Sequence, residues 1–143
     1  MSCGRTHDLI SLIFTPFVLL ISLSILDNLI LTGVLISSFI FSSFMFNGDL
    51  DIKSSPYYRW SIFRFIWIPY QMIFRHRSVF THGLIIGTLV RLIYLFIIPV
   101  IILYVNDVKI LEIIRNDYVL FVVIGLEAGA ALHTITDFFP KIL

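Results

Sequence analysis

The sequence predicts an all-α fold, an integral membrane bundle of about four transmembrane helices with an interfacial aromatic helical segment. Three observations predict it. The 143-residue chain is 59% hydrophobic and 13% charged, with a mean hydropathy of +1.00, a composition foreign to soluble domains. Leu9 to Leu26 and Leu29 to Phe46 contain no charged residue, and about 18 residues of helix span about 27 Å, close to the hydrocarbon thickness of a bilayer. Tyr57 to Phe74 then interleaves tryptophans, tyrosines and phenylalanines with Arg59 and Arg64, and such rings and arginine stems suit the headgroup level. The length fits one domain over residues 1–143.

The first span runs from about residue 8 to 26. Arg5 precedes it, but no small-x-small cleavage site follows, so it reads as a retained helix rather than a signal peptide. Asp27-Asn28 is a tight turn, with Asn28 placed to cap a second span over 29–46. Asn47-Gly48 is a helix stop, and Asp49 to Pro56 is a polar loop. The aromatic segment, about 57–75, reads as one or two interfacial helices broken near Pro69. A third span covers 82–104, a polar turn runs from Asn106 to Asp117, and a fourth span covers 118–138.

Threading these spans through a bilayer brings His7, Asp49, Asp51, His76, His82, His133 and Asp137 to one face. The apolar runs alone set the spans, so the convergence is a consequence and not an input. Arg5, Lys53, Arg59, Arg64, Arg75, Arg77 and Lys141 fall on that face, against Lys109 and Arg115 on the other. The excess marks it as cytoplasmic, and the lipid bilayer itself is the first partner. A net charge of +1 gives no footprint for nucleic acid. The single Cys3 excludes an internal disulfide.

A chain this apolar keeps few polar side chains, and those it keeps at this face are metal-ligand types. His133 and Asp137 are four apart, on one face of a helix and about 6 Å apart along its axis. Asp49 and Asp51, two apart, point the same way in extended backbone. Imidazoles with carboxylates form a donor set for zinc, manganese or iron, zinc first. Seven candidates exceed one tetrahedral shell, so one or two ions are expected. Deeper in the apolar segments, Arg91 and Glu127 lie at similar depth, and an ion pair between them is expected, because an unpaired charge there is costly. Gly125, Gly129 and the neighbouring alanines make one side of the last helix small enough for close helix approach.

The chain resembles a known family at several blocks. These are Gly4-Arg5-Thr6-His7-Asp8, Gly48-Asp49-Leu50-Asp51, Tyr58-Arg59-Trp60, Trp67-Ile68-Pro69-Tyr70, Arg75-His76-Arg77-Ser78 with Thr81-His82-Gly83, Gly125-Leu126-Glu127, and His133 with Asp137. The family is that of small bacterial membrane proteins described as metal-binding and of unknown function. It is akin to the inner-membrane metal-dependent hydrolases described as LexA-binding. The resemblance implies His7, Asp49, Asp51, His76, His82, His133 and Asp137 as metal ligands. Asn47-Gly48 departs from the Ser-Pro-like pair expected before the acidic loop, and Ala131-Leu132 from a more polar lead into His133. Neither change removes a ligand type.

The expected function is metal-assisted hydrolysis of an ester or phosphoester of a lipid-like substrate, at the cytoplasmic headgroup level of a bacterial inner membrane. His76 or Asp51 would accept the proton, and Arg77 or Arg75 would hold the developing anion. The rival reading is a non-catalytic metal- or cofactor-binding membrane subunit or assembly factor with a membrane protein partner.

Overall fold

The computed structural model describes residues 4–106 and 109–138; Lys141 lies outside them. Those residues are all-helical, with no strand among them. Helix α1 spans Gly4–Ile25 and α2 spans Leu29–Met45. The Asn28 side chain accepts from the Ile30 and Leu31 N–H groups and so caps α2, satisfying donors that a helix start leaves orphaned. A 3₁₀ turn, Gly48–Asp51, follows. Helix α3 covers Ser55–Arg59, a second 3₁₀ stretch covers Ser61–Ile66, and α4 covers Trp67–Ile73. The one-turn helix α5, Val79–His82, leads into α6, Ile86–Val105. Helix α7, Ile110–Ile114, precedes α8, Asp117–Phe138.

The core of the bundle is the α2–α8 pair, and its closeness comes from two glycines. A Cβ on Gly125 would stand 2.4 Å from the Leu35 carbonyl oxygen, and one on Gly129 would stand 2.6 Å from that of Phe39. Only side chains without a Cβ let the backbones meet at this distance. Between them, the Ser42 hydroxyl donates to the Leu126 carbonyl at 2.5 Å. Helix α1 packs against both. Three helices, Arg5–Ile25, Ile86–Val105 and Asp117–Phe138, are long and apolar enough to cross a membrane, and their outward faces carry exposed leucine, isoleucine and phenylalanine. Helix α2 is apolar but shorter, at 17 residues.

Four sequence expectations change. The interfacial segment does not break at Pro69. That residue sits in the first turn of α4, where its missing N–H is not needed; the break falls instead at Ser61, with φ 50°. Part of this segment is core rather than surface: Tyr57, Trp67 and Tyr70 are buried with Phe46, Leu50 and Leu126, while Tyr58, Phe63 and Phe65 remain exposed. The third apolar span does not run unbroken from His82, because Gly83 to Ile85 separate α5 from α6. Nor is an Arg91–Glu127 ion pair formed. The Arg91 guanidinium donates to Thr81 and Thr88, and the Glu127 carboxylate accepts from the Ile85 N–H.

Candidate metal centre

The centre forms where four separate pieces of chain end at the same level: the start of α1, the 3₁₀ turn after α2, the turn into α5, and the last turns of α8. Asn47 shapes the first approach. Its side chain, buried, donates to the Ser43 carbonyl at 2.9 Å and accepts from the Asp49 N–H at 3.2 Å. This Asx-type bonding turns the chain out of α2 and presents Asp49. From α8, the four-residue spacing places His133 and Asp137 on one face, with His133 Nε2 3.8 Å from Asp137 Oδ2.

Asp49, His82, His133 and Asp137 each offer a ligand atom, and these four atoms lie within 4.8 Å of one another. His82 Nε2 stands 3.5 Å from Asp49 Oδ1 and 3.8 Å from Asp137 Oδ2. His133 Nε2 stands 3.5 Å from Asp49 Oδ2. Such separations are too long for good hydrogen bonds. They come close to the edges of a tetrahedron, since ligand bonds of about 2.0–2.2 Å to zinc put neighbouring donors about 3.3–3.6 Å apart: the two Asp49 separations fall in that range and the two Asp137 separations slightly above it. Among the described residues, His82 Nε2, His133 Nε2 and Asp137 Oδ2 are buried without a hydrogen-bond partner. Leaving buried polar atoms unmet costs free energy, and a shared cation satisfies all three at once. The residues present therefore fit a divalent metal.

The other three sequence candidates lie one layer outward. His7 Nε2 is 3.1 Å from Asp137 Oδ1 and its Nδ1 is 2.7 Å from Thr136 Oγ1. Its ring packs against that of His133, tilted by 38° with centroids 4.4 Å apart. His7 thus holds the Asp137 oxygen that faces away from the cluster. Asp51, fully buried at its side chain, accepts from His76 Nδ1 at 2.8 Å and from the Arg77 N–H at 3.1 Å. Arg77 takes φ 58° to make that contact. His82 Nδ1 lies 3.6 Å from Asp51 Oδ2 and 3.1 Å from Thr81 Oγ1. Because the Thr81 hydroxyl itself donates to the Ser78 carbonyl, it accepts from His82 Nδ1–H, and the bare Nε2 is left facing the cluster. Outer partners of this kind fix the tautomer and orientation of a ligating imidazole.

Burial pushes the Asp49 carboxyl up, but the imidazoles of His133 and His82 facing it outweigh burial and hold the group well below the usual carboxylate range. It stays ionised, the form a cation requires. Beside it lies a cavity of about 10 Å³ lined by His7, Asp8, Ser43, Asn47, Asp49, Ser55, Pro56 and His133, room for a single water. Arg59 holds Asp8, one of the lining residues, binding both of its oxygens and donating to the Phe44 carbonyl at 2.9 Å.

The sequence reading assigned Thr81, Thr136, Asn47 and Gly48 no part in the centre, taking Asn47-Gly48 only as a helix stop. The first two adjoin ligand-type residues in the chain, a faint signal. Gly48 is legible only in three dimensions, because a Cβ there would meet the His82 ring.

The sequence profile described as uncharacterized metal-binding protein (DUF2227) matches residues 2–142. An uncharacterized protein of Aquifex aeolicus (strain VF5) is 46% identical over 48 residues, 33% of this chain and 33% of that protein. The match thus spans about a third of that relative's length. No solved structure matches the chain. With the profile covering nearly every residue, and a partly buried His-Asp donor cluster at the meeting point of its helices, the chain belongs to this family of metal-binding proteins.

Proposed function

We propose that the protein is a membrane-embedded, metal-dependent hydrolase that acts on an ester or phosphoester of a lipid-like substrate at the cytoplasmic headgroup level. Asp49, His82, His133 and Asp137 hold one divalent cation, zinc by preference. The observation that carries this reading is the set of three buried, unpartnered donor atoms converging with Asp49. When bound, such a cation supplies Lewis acidity and lowers the pKa of a water toward neutrality. The cavity beside Asp49 has room for that water. His76 is partly exposed, bonded to the buried Asp51, and its ring lies 5.6 Å from that of His82. Asp51 orients it as the proton acceptor, and the exposed Arg77 beside it holds the developing negative charge.

The exposed apolar faces of α1, α6 and α8 support membrane embedding, and α2, about 26 Å long, makes a fourth crossing. The excess of Arg and Lys at the level of the centre supports a cytoplasmic orientation. A bacterial inner membrane is the setting this implies.

One observation favours a non-catalytic metal-binding subunit instead: four protein donors already complete a tetrahedral shell. Both readings are tested on protein purified in detergent. Elemental analysis gives one equivalent of metal for wild type and a large loss for His82→Ala and for His133→Ala. Equal metal content in all three removes both readings. Chelator-sensitive hydrolysis of a chromogenic phosphodiester or ester, lost in His76→Ala while metal is retained, supports the hydrolase. Stoichiometric metal without turnover supports the subunit.

A further inference from the structure

Arg91 and Glu127, the two charges deep in the apolar helices, grip the same short junction from opposite sides. Arg91 is 2% exposed. Its Nη1 donates to the Thr81 carbonyl at 2.7 Å and its Nη2 to Thr88 Oγ1 at 3.1 Å. From α8, Glu127 Oε1 accepts from the Ile85 N–H at 2.7 Å. Thr81 is the residue before the ligand His82, and Ile85 closes the link to α6.

The link needs holding. Ile85 has φ 65° and ψ −56°, and the Ile86 N–H donates to the Leu84 carbonyl at 2.7 Å. This is a γ-turn of the positive-φ form, rare and strained, and a β-branched residue is the least suited to it. Such backbone persists only where its surroundings over-determine it. Helix α5 has four residues, too few to sustain itself. Gly87 completes the arrangement: a Cβ there would stand 2.8 Å from the Thr81 carbonyl oxygen, so the missing side chain lets α5 close onto Arg91.

We infer that Arg91 and Glu127 are positioning residues for the metal centre, clamping the α5–α6 junction so that the His82 imidazole is delivered to Asp49, His133 and Asp137. The inference rests on the metal-centre reading above. It explains why two costly charges sit in apolar helices without pairing with each other: each satisfies a backbone group of the ligand-bearing turn.

The test uses the full chain in detergent, with two readouts. Metal-free protein is titrated with Co²⁺, whose visible d–d absorption reports ligand geometry. Amide hydrogen exchange across residues 79–86 is followed in the metal-free state. Glu127→Leu and Arg91→Met are expected to weaken Co²⁺ binding by about 10- to 100-fold, alter the d–d bands and speed exchange in 79–86. Glu127→Gln keeps an amide oxygen for the Ile85 N–H and is expected to match wild type in both. Wild-type affinity, spectrum and exchange in Glu127→Leu would overturn the clamp, as would Glu127→Gln behaving like Glu127→Leu. If Arg91→Met does not fold, the Glu127 pair decides. Failure of the wild type to bind Co²⁺ overturns the metal-centre reading and, with it, the positioning role; exchange then shows whether the junction is clamped at all.

Discussion

Gly48 lies flat against the His82 imidazole: a Cβ on Gly48 would stand 2.9 Å from both Cδ2 and Nε2 of that ring. The residue before the Asp49 ligand is thus shaped by the ligand across from it. Gly48→Ala is expected to push the ring aside and weaken metal binding on the order of tenfold, with helix content unchanged by circular dichroism. An unaltered metal affinity would show that the ring has room to move.

In the proposed metal centre, His7 acts on the cation through Asp137. It holds Asp137 Oδ1 at 3.1 Å while Oδ2 faces the cluster. His7→Ala is therefore expected to retain metal but with affinity lowered by about 10- to 100-fold, the usual effect of losing an outer partner. Asp137→Ala, by contrast, removes a donor and is expected to abolish stoichiometric binding. Competition against a chromogenic zinc chelator separates the two; identical losses would place His7 among the direct ligands.

Asp49 gives a pH dependence with a definite sign. Its carboxyl is held below the usual range in the folded protein. It therefore contributes stability that is present above the unfolded value of about 3.9 and is lost as pH falls from there toward the folded value. Thermal unfolding of metal-free protein between pH 6 and pH 3 is expected to show a shallower decline in Asp49→Asn than in wild type. Parallel declines would mean that the histidine contacts do not act on this carboxylate.

The α2–α8 seam is the mechanical base of the centre. Gly129→Ala places a methyl where the Phe39 carbonyl oxygen and Ser42 Cβ already stand, at 2.6 and 2.8 Å. Overpacking of this kind costs about 1–3 kcal/mol. The expected result is a lower unfolding midpoint in a denaturant series together with weakened metal binding, because His133 follows one turn later on the same helix. A changed midpoint with intact metal affinity would separate the seam from the site.

The sequence by itself determined the helices and the level at which the polar side chains collect. Its apolar runs are long, its breaks at Asp27-Asn28, Asn47-Gly48 and Asn106 are polar, and chain connectivity leaves few ways to thread such segments. Asn28 was legible as a cap because capping is local chemistry. The family blocks around His7, Asp49, His82 and His133 were legible because they are contiguous residues.

Tertiary structure alone decided which donors converge on one point. Asp49 and Asp51 are equivalent along the chain, yet one faces the cluster and the other turns back to His76 and Arg77 N–H. Only the pitch of the 3₁₀ turn and the packing around it separate them. The partners of Arg91 and Glu127 were hidden for the same reason: equal depth in two helices predicts that charges can meet, while the Thr81 carbonyl and the Ile85 N–H offer each a nearer backbone group. Local propensity and hydropathy act over a few neighbours, whereas these choices join residues 25 positions apart, Asp51 and His76, and 42 apart, Ile85 and Glu127, by contacts that exist only once the helices have packed.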